Sequence, residues 1–330
     1  MSLSPTIELS SGAHMPAVGF GTGHISRADI TEVIQAAVRL GYRHIDGALS
    51  YGGEDLIGAA LAQPGGPPRS ELWLTSKLMQ TQYRSDEQVA ACCQKSLQNL
   101  QTDYLDLYLM HWPVVLQSDP KDPTGHTPYR HPSTGYFAAD HQSGVDLVDT
   151  WRSMEELVMA GKVRHIGVSN FNIRQLKAIL AVARIRPAVN QVEVHPYCPN
   201  KWLVEFCRDQ RIHVTAYSPL GAHGQPRVLD NPTLSEVEVS ADITPAQVVL
   251  TWARQRGLSV IPKASSPSRM VENLNTSRKL TPDQMDQINA IPTRMRVYDY
   301  HEEWGLAPGT LFGDSDVDES ADDPSHNDNH

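Results

Sequence analysis

Short apolar runs alternate with longer amphipathic stretches along most of this chain. Eight runs are rich in β-branched or other apolar residues, and the stretches between them have the length of helices. This alternation is typical of βα units around a parallel sheet. Eight such units in one chain predict an α/β fold, a (β/α)₈ barrel. In order, the runs are PAVGFGT, YRHIDG, ELWLTSK, DLYLMHW, VRHIGVS, AVNQVEV, IHVTAYS and LSVIPK.

Residues typical of helix ends flank the amphipathic stretches. Gly41, Gly161 and Gly257 fall where helices are expected to stop, because glycine readily takes the left-handed conformation that follows a helix. Ser85 and Thr244 fall where helices are expected to start, because their hydroxyls can accept hydrogen bonds from free backbone N–H groups. These signals support helices over ADITEVIQAAVRLG, SDEQVAACCQKSLQNLQ, LVDTWRSMEELVMAG and TPAQVVLTWARQRG.

Three further segments complete the predicted architecture. Residues 6–18 predict a hairpin that turns at Ser11 and Gly12, ahead of the barrel. Two long interruptions, residues 113–145 and 220–241, each follow a predicted strand. Loops of this length are usually functional lids or disordered segments, and barrel enzymes place their sites at the carboxyl ends of the strands. The sequence leaves open whether residues 113–145 form an ordered lid.

The predicted units favour one domain over residues 1–312, followed by an acidic tail. The 330 residues are 40% hydrophobic, which is enough for a large core, although length alone does not fix the number of domains. Residues 313–330 are rich in Asp and Glu and predict a solvated, disordered extension. This tail accounts for much of the net charge of −10.

Charge and cysteine content narrow the function classes. A net charge of −10 without a basic run is a poor match to nucleic acid, whose phosphates need clustered Lys and Arg. No long apolar segment predicts a membrane span, and the N-terminus lacks the pattern of a secretory signal, so a cytoplasmic protein is expected. The four cysteines fit neither a disulfide framework nor a zinc site, and no metal is expected.

Four residues with complementary chemistry stand at the ends of separate apolar runs: Asp46, Tyr51, Lys77 and His111. A tyrosine alone has a pKa of about 10. A neighbouring ammonium such as Lys77 favours its phenolate and makes it a usable general acid. Asp46 would hold and balance the lysine. His111 would hydrogen-bond the oxygen of a bound carbonyl or help relay the proton. Together the four residues, called the tetrad below, predict the reduction of a carbonyl group.

Each member of the tetrad also has a structural interpretation. Asp46 fits a turn, Tyr51 a half-buried ring, Lys77 a solvated charge and His111 a core histidine. Taken singly these interpretations are the more common ones, since structural residues outnumber catalytic residues. All four nevertheless fall at or just beyond the ends of the second, third and fourth predicted strands, where barrel enzymes do their chemistry. Their joint placement favours catalysis.

The tetrad and several motifs resemble the aldo-keto reductase family, in particular its eukaryotic aldose and aldehyde reductases. The resemblance covers about residues 6–292. Two departures lie near the tetrad: Gly47 stands where threonine or cysteine is more usual, and Gly53 precedes Glu54 where the family often has asparagine. Neither removes a tetrad member. The motifs are HWP at 111–113, GKVRHIGVSNF at 161–171, NQVEVHPY at 190–197, AYSPLG at 216–221 and IPKASSPSRMVENL at 261–274.

The resemblance implies NADPH as the cofactor and a hairpin across the bottom of the barrel. From the residues themselves, Ser266 can cap a helix with Pro267 in its first turn, which leaves backbone N–H groups free for an anion. An ordinary capped helix with solvated basic residues is the alternative. By resemblance, the residues that bind the 2′-phosphate are Lys263, Ser265, Ser266 and Arg269, and those that contact the adenine are Glu272 and Asn273.

The resemblance also implies contacts with the nicotinamide, the pyrophosphate and the substrate. Residues of this group, taken singly, would be described as strand-end polar groups and a core aromatic ring. By resemblance, Ser169, Asn170 and Gln191 hydrogen-bond the carboxamide, Tyr217 stacks on the nicotinamide, and Ser218 and Leu220 begin a loop across the pyrophosphate.

Three positions define the expected substrate wall. Gly23 and Met79 stand where bulky aromatic rings often line the pocket in the family's sugar and aldehyde reductases, and Trp112 is expected beside His111. One ring is missing and another is replaced by a flexible side chain, so we expect a wider pocket.

The sequence therefore predicts an NADPH-dependent reductase that acts as a monomer on small-molecule aldehydes or ketones. The alternative is an NADP-binding regulatory or structural subunit of the same fold without physiological turnover, against which the intact tetrad argues. A Rossmann-type short-chain reductase expects Tyr-x-x-x-Lys on one helix, and Tyr51 and Lys77 are too far apart for that. The physiological substrate, reaction direction and oligomeric state do not follow from the sequence, because loops set specificity in barrels.

Overall fold

An antiparallel hairpin precedes the barrel. The computed structural model describes residues 5–307 and 309–312. Strands β1 (Thr6–Glu8) and β2 (His14–Pro16) pair antiparallel, which confirms the predicted hairpin. Leu9 and Met15 are buried in a cluster with the first residues of two barrel strands, Trp73 and Val189. The hairpin therefore covers the amino ends of the strands and leaves their carboxyl ends to the opposite face.

Eight parallel strands form one curled sheet, in the order in which they occur in the chain. Its two edges meet: Val18 forms a parallel bridge with Val260, and the Gly19 N–H donates to the Val260 carbonyl at 2.8 Å. This closure confirms the predicted (β/α)₈ barrel. The strands are β3 (Phe20–Gly21), β4 (His44–Asp46), β5 (Trp73–Leu78), β6 (Leu105–Met110), β7 (Val163–Ser169), β8 (Val189–Glu193), β9 (His213–Tyr217) and β10 (Ser259–Val260).

The four helices predicted from the sequence are present, with the expected residues at their ends. The Ser85 side chain accepts from the Gln88 N–H, and Thr244 forms a capping box with Gln247. The three glycines expected to stop helices all have positive φ. No helix in the described ranges is long and apolar enough to traverse a lipid bilayer. The helices are α1 (Ile30–Arg39), α2 (Glu54–Leu61), α3 (Asp86–Leu100), α4 (Leu147–Met159), α5 (Ile173–Val182), α6 (Lys201–Asp209), α7 (Pro232–Ala241), α8 (Pro245–Gln255), α9 (Pro267–Leu274) and α10 (Pro282–Asn289).

The two long interruptions contain more structure than the sequence pattern predicted. Residues 113–145 contain isolated antiparallel bridges, among them Leu116 with Ala139. Residues 220–241 end in α7, so the expectation of a loop over this whole segment was wrong. The tail predicted over residues 313–330 lies outside the described residues.

The C-terminal segment, defined here as residues 292–307 and 309–312, lies across the carboxyl ends of the strands. Its backbone is irregular. Trp304 and Phe312 form a buried cluster with Trp112, which follows β6. The same cluster includes Leu116 and Ala139, so residues 113–145 and the C-terminal segment pack against each other at the mouth of the barrel.

A histidine inside the barrel predicts sensitivity to acid. His213 Nε2 lies 3.0 Å from Ser259 Oγ, and although part of the residue stays accessible, burial lowers its pKa from 6.5 to about 3, aided by Arg254 and His44. The unfolded chain therefore binds a proton at His213 below about pH 6.5 that the folded chain does not bind. As pH falls from 6.5 towards 3, this difference should lower the free energy of unfolding by an amount on the order of 1 to 3 kcal/mol.

Denaturant unfolding of wild type and His213→Gln across this pH range measures the effect. The variant should lose less stability on acidification, because Gln does not titrate. His14→Gln, at an exposed hairpin histidine, is the control and should follow the wild type. Equal acid sensitivity in all three proteins would contradict the assignment to His213.

Candidate active site

The tetrad lies together at the carboxyl ends of three neighbouring strands. Asp46 is the last residue of β4, Lys77 lies near the end of β5, and His111 directly follows β6. Tyr51 ends the 3₁₀ turn Leu49–Tyr51 that follows β4. Since β4, β5 and β6 are adjacent in the sheet, parallel pairing brings the four side chains to one end of the barrel.

A buried ion pair forms the base of the site. Lys77 Nζ donates to Asp46 Oδ1 at 2.6 Å and to the Gly47 carbonyl at 2.9 Å, and the Lys77 and Asp46 side chains are only 1% and 2% exposed. Gln191 Nε2 donates to the other Asp46 oxygen at 2.7 Å. Burial lowers the pKa of Lys77, but Asp46 and Tyr51 raise it by more, so the net shift is upward. Lys77 therefore remains an ammonium at neutral pH.

Tyr51 lies beside this ammonium and keeps its proton. Lys77 Nζ is 5.1 Å from the centre of the Tyr51 ring. The residue is 38% exposed, so part of its ring faces the mouth of the barrel. Enclosure of the hydroxyl end raises the pKa of Tyr51 above its usual value of 10, although Lys77 acts to lower it. The expected influence of Lys77 thus has the predicted direction, but the net shift is upward because burial outweighs it.

His111 is neutral and faces Tyr51. The two rings are 5.6 Å apart at 73°. Burial, and then the Lys77 charge, lower the pKa of His111 well below 6.5. Ser50 Oγ lies 3.3 Å from His111 Nδ1, and Asn170 Nδ2 donates to the His111 carbonyl at 3.1 Å. A neutral imidazole has one N–H, so His111 can donate one hydrogen bond towards a ligand.

The residues that the resemblance associates with the nicotinamide form one hydrogen-bonded group. Ser169 Oγ donates to the Gln191 carbonyl at 2.8 Å, and Tyr217 OH donates to Asn170 Oδ1 at 2.8 Å. Asn170 Nδ2 also donates to Ser169 Oγ at 3.1 Å. These contacts join the ends of β7, β8 and β9 beside the tetrad. Ser218, with φ of +45°, and Leu220 follow β9 directly. Their contacts with a cofactor stay predictions.

The loop after β10 has the charge and free backbone groups that a phosphate needs. Helix α9 begins at Pro267 after Ser266, as predicted, but the Ser266 side chain makes no capping hydrogen bond and instead lies 3.3 Å from Ser268 Oγ. Within the described ranges, exposed Lys263 and Arg269 form no ion pair. Two uncommitted cations beside uncapped N–H groups fit a dianionic phosphate.

The other members of this predicted group have different surroundings. Ser265 is exposed between Lys263 and Ser266. The Glu272 carboxylate accepts from the Thr244 hydroxyl, and Asn273 is buried at the end of α9. Their roles towards the adenine stay predictions.

The part of the site where the substrate wall is predicted has rings that the sequence analysis missed. A Cβ on Gly23 would meet only the Tyr51 ring, at 3.7 Å, and Met79 and Trp112, which follow β5 and β6, are buried. Two tyrosines of the C-terminal segment supply further aromatic surface: Tyr300 lies 5.3 Å from the Trp112 ring, and Tyr298 packs on the loop after β3. The density of aromatic residues in YDYHEEW, residues 298–304, was the available signal. No group of residues suited to hold a metal ion occurs in the described part of the chain.

Comparison with known proteins agrees with this geometry. The model of the Aldo/keto reductase family matches residues 15–292. Aldo-keto reductase family 1 member A1 from Bos taurus is 39% identical over 302 residues, which cover 88% of this chain and 90% of that protein. The structure of the aldose reductase from Schistosoma japonicum has a TM-score of 0.82 at 35% identity and covers 90% of this chain and 95% of its own.

A second solved structure extends the comparison to the cofactor. The Bombyx mori aldo-keto reductase, determined in complex with NADP, has a TM-score of 0.79 at 31% identity and covers 92% of this chain and 97% of its own. Match lengths and identities of this size leave no ambiguity about ancestry. The chain belongs to the aldo-keto reductase family and is an NADP-dependent oxidoreductase.

Proposed function

We propose that this chain reduces aldehydes and ketones to alcohols with NADPH, and that Tyr51 is the general acid. The carrying observation is the buried Lys77–Asp46 ion pair beside Tyr51. Removing two charges from water costs several kcal/mol per ion. Such a pair at the mouth of the barrel is better explained by chemistry than by packing.

Tyr51 would supply the proton. Its raised pKa keeps the hydroxyl protonated at neutral pH. As negative charge develops on the carbonyl oxygen, Tyr51 donates its proton there, and the Lys77 ammonium stabilises the phenolate that remains. Asp46 in turn keeps Lys77 charged and in place. When bound, NADPH supplies the hydride to the carbonyl carbon.

His111 would orient the carbonyl oxygen. Because the imidazole is neutral, it donates a hydrogen bond without acting as a competing acid. Its position opposite Tyr51 allows one oxygen to accept from both residues. We assign Gly23, Met79 and Trp112 to the surrounding substrate wall.

The remaining predicted residues would hold the cofactor. Their proposed roles follow the family resemblance, and the hydrogen-bonded group at the ends of β7, β8 and β9 and the cations after β10, which are unpaired within the described ranges, support them. Ser169, Asn170 and Gln191 hold the carboxamide, Tyr217 stacks on the nicotinamide, Ser218 and Leu220 border the pyrophosphate, Lys263, Ser265, Ser266 and Arg269 bind the 2′-phosphate, and Glu272 and Asn273 contact the adenine.

Arg269→Ala should weaken NADPH binding about ten- to a hundredfold and barely change NADH binding. Hydrogen bonds to charged groups contribute about 1.5–3 kcal/mol, and only NADPH carries the 2′-phosphate that Arg269 would contact. Fluorescence titration measures both affinities. Arg208→Ala, at an exposed arginine on α6, is the matched control. Equal losses for NADPH and NADH, or parent protein that prefers NADH, would show that the phosphate pocket is assigned wrongly.

NADPH consumption with a panel of aldoses, aliphatic and aromatic aldehydes, keto-acids and bulky ketones tests the proposed function. Turnover of at least one class is expected. The alternative, an NADP-binding subunit without turnover, predicts tight NADPH binding but no consumption with any class. The intact tetrad favours the reductase.

A further inference from the structure

A buried carboxylate at the end of β8 fixes the backbone of the C-terminal segment. The Glu193 side chain is 0% exposed. Its Oε1 accepts from the Val297 N–H at 2.7 Å, and its Oε2 accepts from the Tyr298 N–H at 2.9 Å. His195 Nε2 lies 2.8 Å from Oε1. Burial raises the pKa of Glu193, but His195, Arg296 and the Val297 N–H lower it by more, so the carboxylate stays ionised. Two consecutive backbone amides are thereby held at one place.

The ring of Tyr298 lies between two loops around the site. Tyr298 stacks on His24 at 6.3 Å and 20°, and its edge-to-face partners are Tyr217 at 5.8 Å and His223 at 5.7 Å. The ring thus contacts the loop after β3 and the loop after β9 at once.

This ring stands beside the position where the chain lacks bulk. Gly23 precedes His24, and a Cβ at Gly23 would have an ordinary van der Waals contact with the Tyr51 ring only. Gly23 itself adds no bulk here, whereas the Tyr298 ring stacks on the adjacent His24. Because the C-terminal segment has no helix or strand of its own to stiffen it, the ring's position depends on the bonds that hold its backbone.

We propose that Glu193 is a positioning residue that sets substrate selectivity by holding the Tyr298 ring as a wall of the site. The inference rests on the proposed function, since it concerns the same site. Glu193 acts on the site through the amides of Val297 and Tyr298 rather than on the reacting atoms themselves. Loosening these bonds lets the ring move away from His24, which enlarges the site and favours bulky substrates.

A matched carboxylate elsewhere in the barrel separates positioning from general stability. Glu155 on α4 is 1% exposed and also accepts from two consecutive backbone amides, those of Arg184 at 2.7 Å and Ile185 at 2.8 Å. It also accepts from Arg184 Nε at 2.9 Å. Because Arg184 and Ile185 precede β8, this group lies at the amino ends of the strands. Glu155→Gln should reduce stability and leave selectivity unchanged.

The experiment compares kcat/KM for naphthaldehyde with kcat/KM for glyceraldehyde. Glu193→Gln keeps the size of the side chain but replaces one acceptor oxygen with a donor. It should raise the ratio about three- to tenfold, which is less than the complete loss of a hydrogen bond to a charged group would give. Tyr298→Ala should raise it further. The double variant should match Tyr298→Ala alone, since the proposed effect of Glu193 runs through the Tyr298 ring. Hydrogen exchange of the Val297 and Tyr298 amides should accelerate in Glu193→Gln.

The outcomes are distinct. No NADPH consumption by the parent protein with any carbonyl compound overturns the proposed function itself. Parent turnover with an unchanged ratio in Glu193→Gln, an equal shift in Glu155→Gln, or additive effects in the double variant overturns the positioning role. If Glu193→Gln does not fold, Glu193→Asp gives the same comparison, because it retains the charge but withdraws the oxygens. An unchanged ratio in Tyr298→Ala shows that the Tyr298 ring is not a wall of the site.

Discussion

Tyr51→Phe is expected to lower turnover by about 10² to 10⁴ and to leave NADPH binding nearly intact. The substitution removes only the hydroxyl, so the proton donor is lost while the ring that packs against His111 remains. Single-turnover hydride transfer and cofactor affinity, measured separately, distinguish loss of chemistry from loss of binding.

Tyr42→Phe is the matched control for this prediction. The Tyr42 hydroxyl is also buried and donates to the Met270 carbonyl at 3.0 Å, away from the tetrad. This variant should transfer hydride at the wild-type rate. Near-normal transfer in Tyr51→Phe, or equal losses in the two variants, would contradict the assignment of Tyr51 as the acid.

Lys77→Met should lose both stability and activity. It leaves the Asp46 carboxylate buried without its cation, and breaking a buried pair in this way costs about 3–5 kcal/mol. It also removes the charge that stabilises the Tyr51 phenolate, so turnover should fall on the order of 10²-fold or more. Denaturant unfolding and single-turnover kinetics measure the two losses.

Adding Asp46→Asn to Lys77→Met separates these effects. The double variant has no buried charge at the pair, so much of the lost stability should return, while turnover should stay low because the ammonium is still absent. Recovery of turnover together with stability would mean that Lys77 serves folding alone. That result would remove electrostatic assistance from the proposed mechanism.

The barrel was predictable because its strands are enclosed on both sides. Every position of β6, Leu105–Met110, is buried, so the strand reads as a nearly continuous apolar run. Helix α7 was not predicted because only Leu234 and Val237 are buried within it. Two buried residues give too weak an apolar stripe to indicate a helix. The hairpin followed from turn chemistry at Ser11 and Gly12.

The tetrad was predictable because each member is tied to the end of a strand, and strand ends meet in a parallel barrel. The contact of Tyr298 with His24 could not be predicted, because it joins opposite ends of the chain through irregular backbone. The electrostatic effects on Tyr51 were likewise predictable only in part. The influence of Lys77 on Tyr51 follows from residue types, whereas the larger effect of burial on the pKa of Tyr51 depends on the folded surroundings.

Transfer of an isotopic label tests the central claim most directly. The protein is incubated with an aromatic aldehyde and NADPH that carries deuterium in both positions at the nicotinamide C4, and the alcohol is analysed by mass spectrometry. We expect deuterium on the carbinol carbon with the wild type and only traces with Tyr51→Phe in the same time. Alcohol without the label, or equal labelling by both proteins, would contradict hydride transfer assisted by Tyr51.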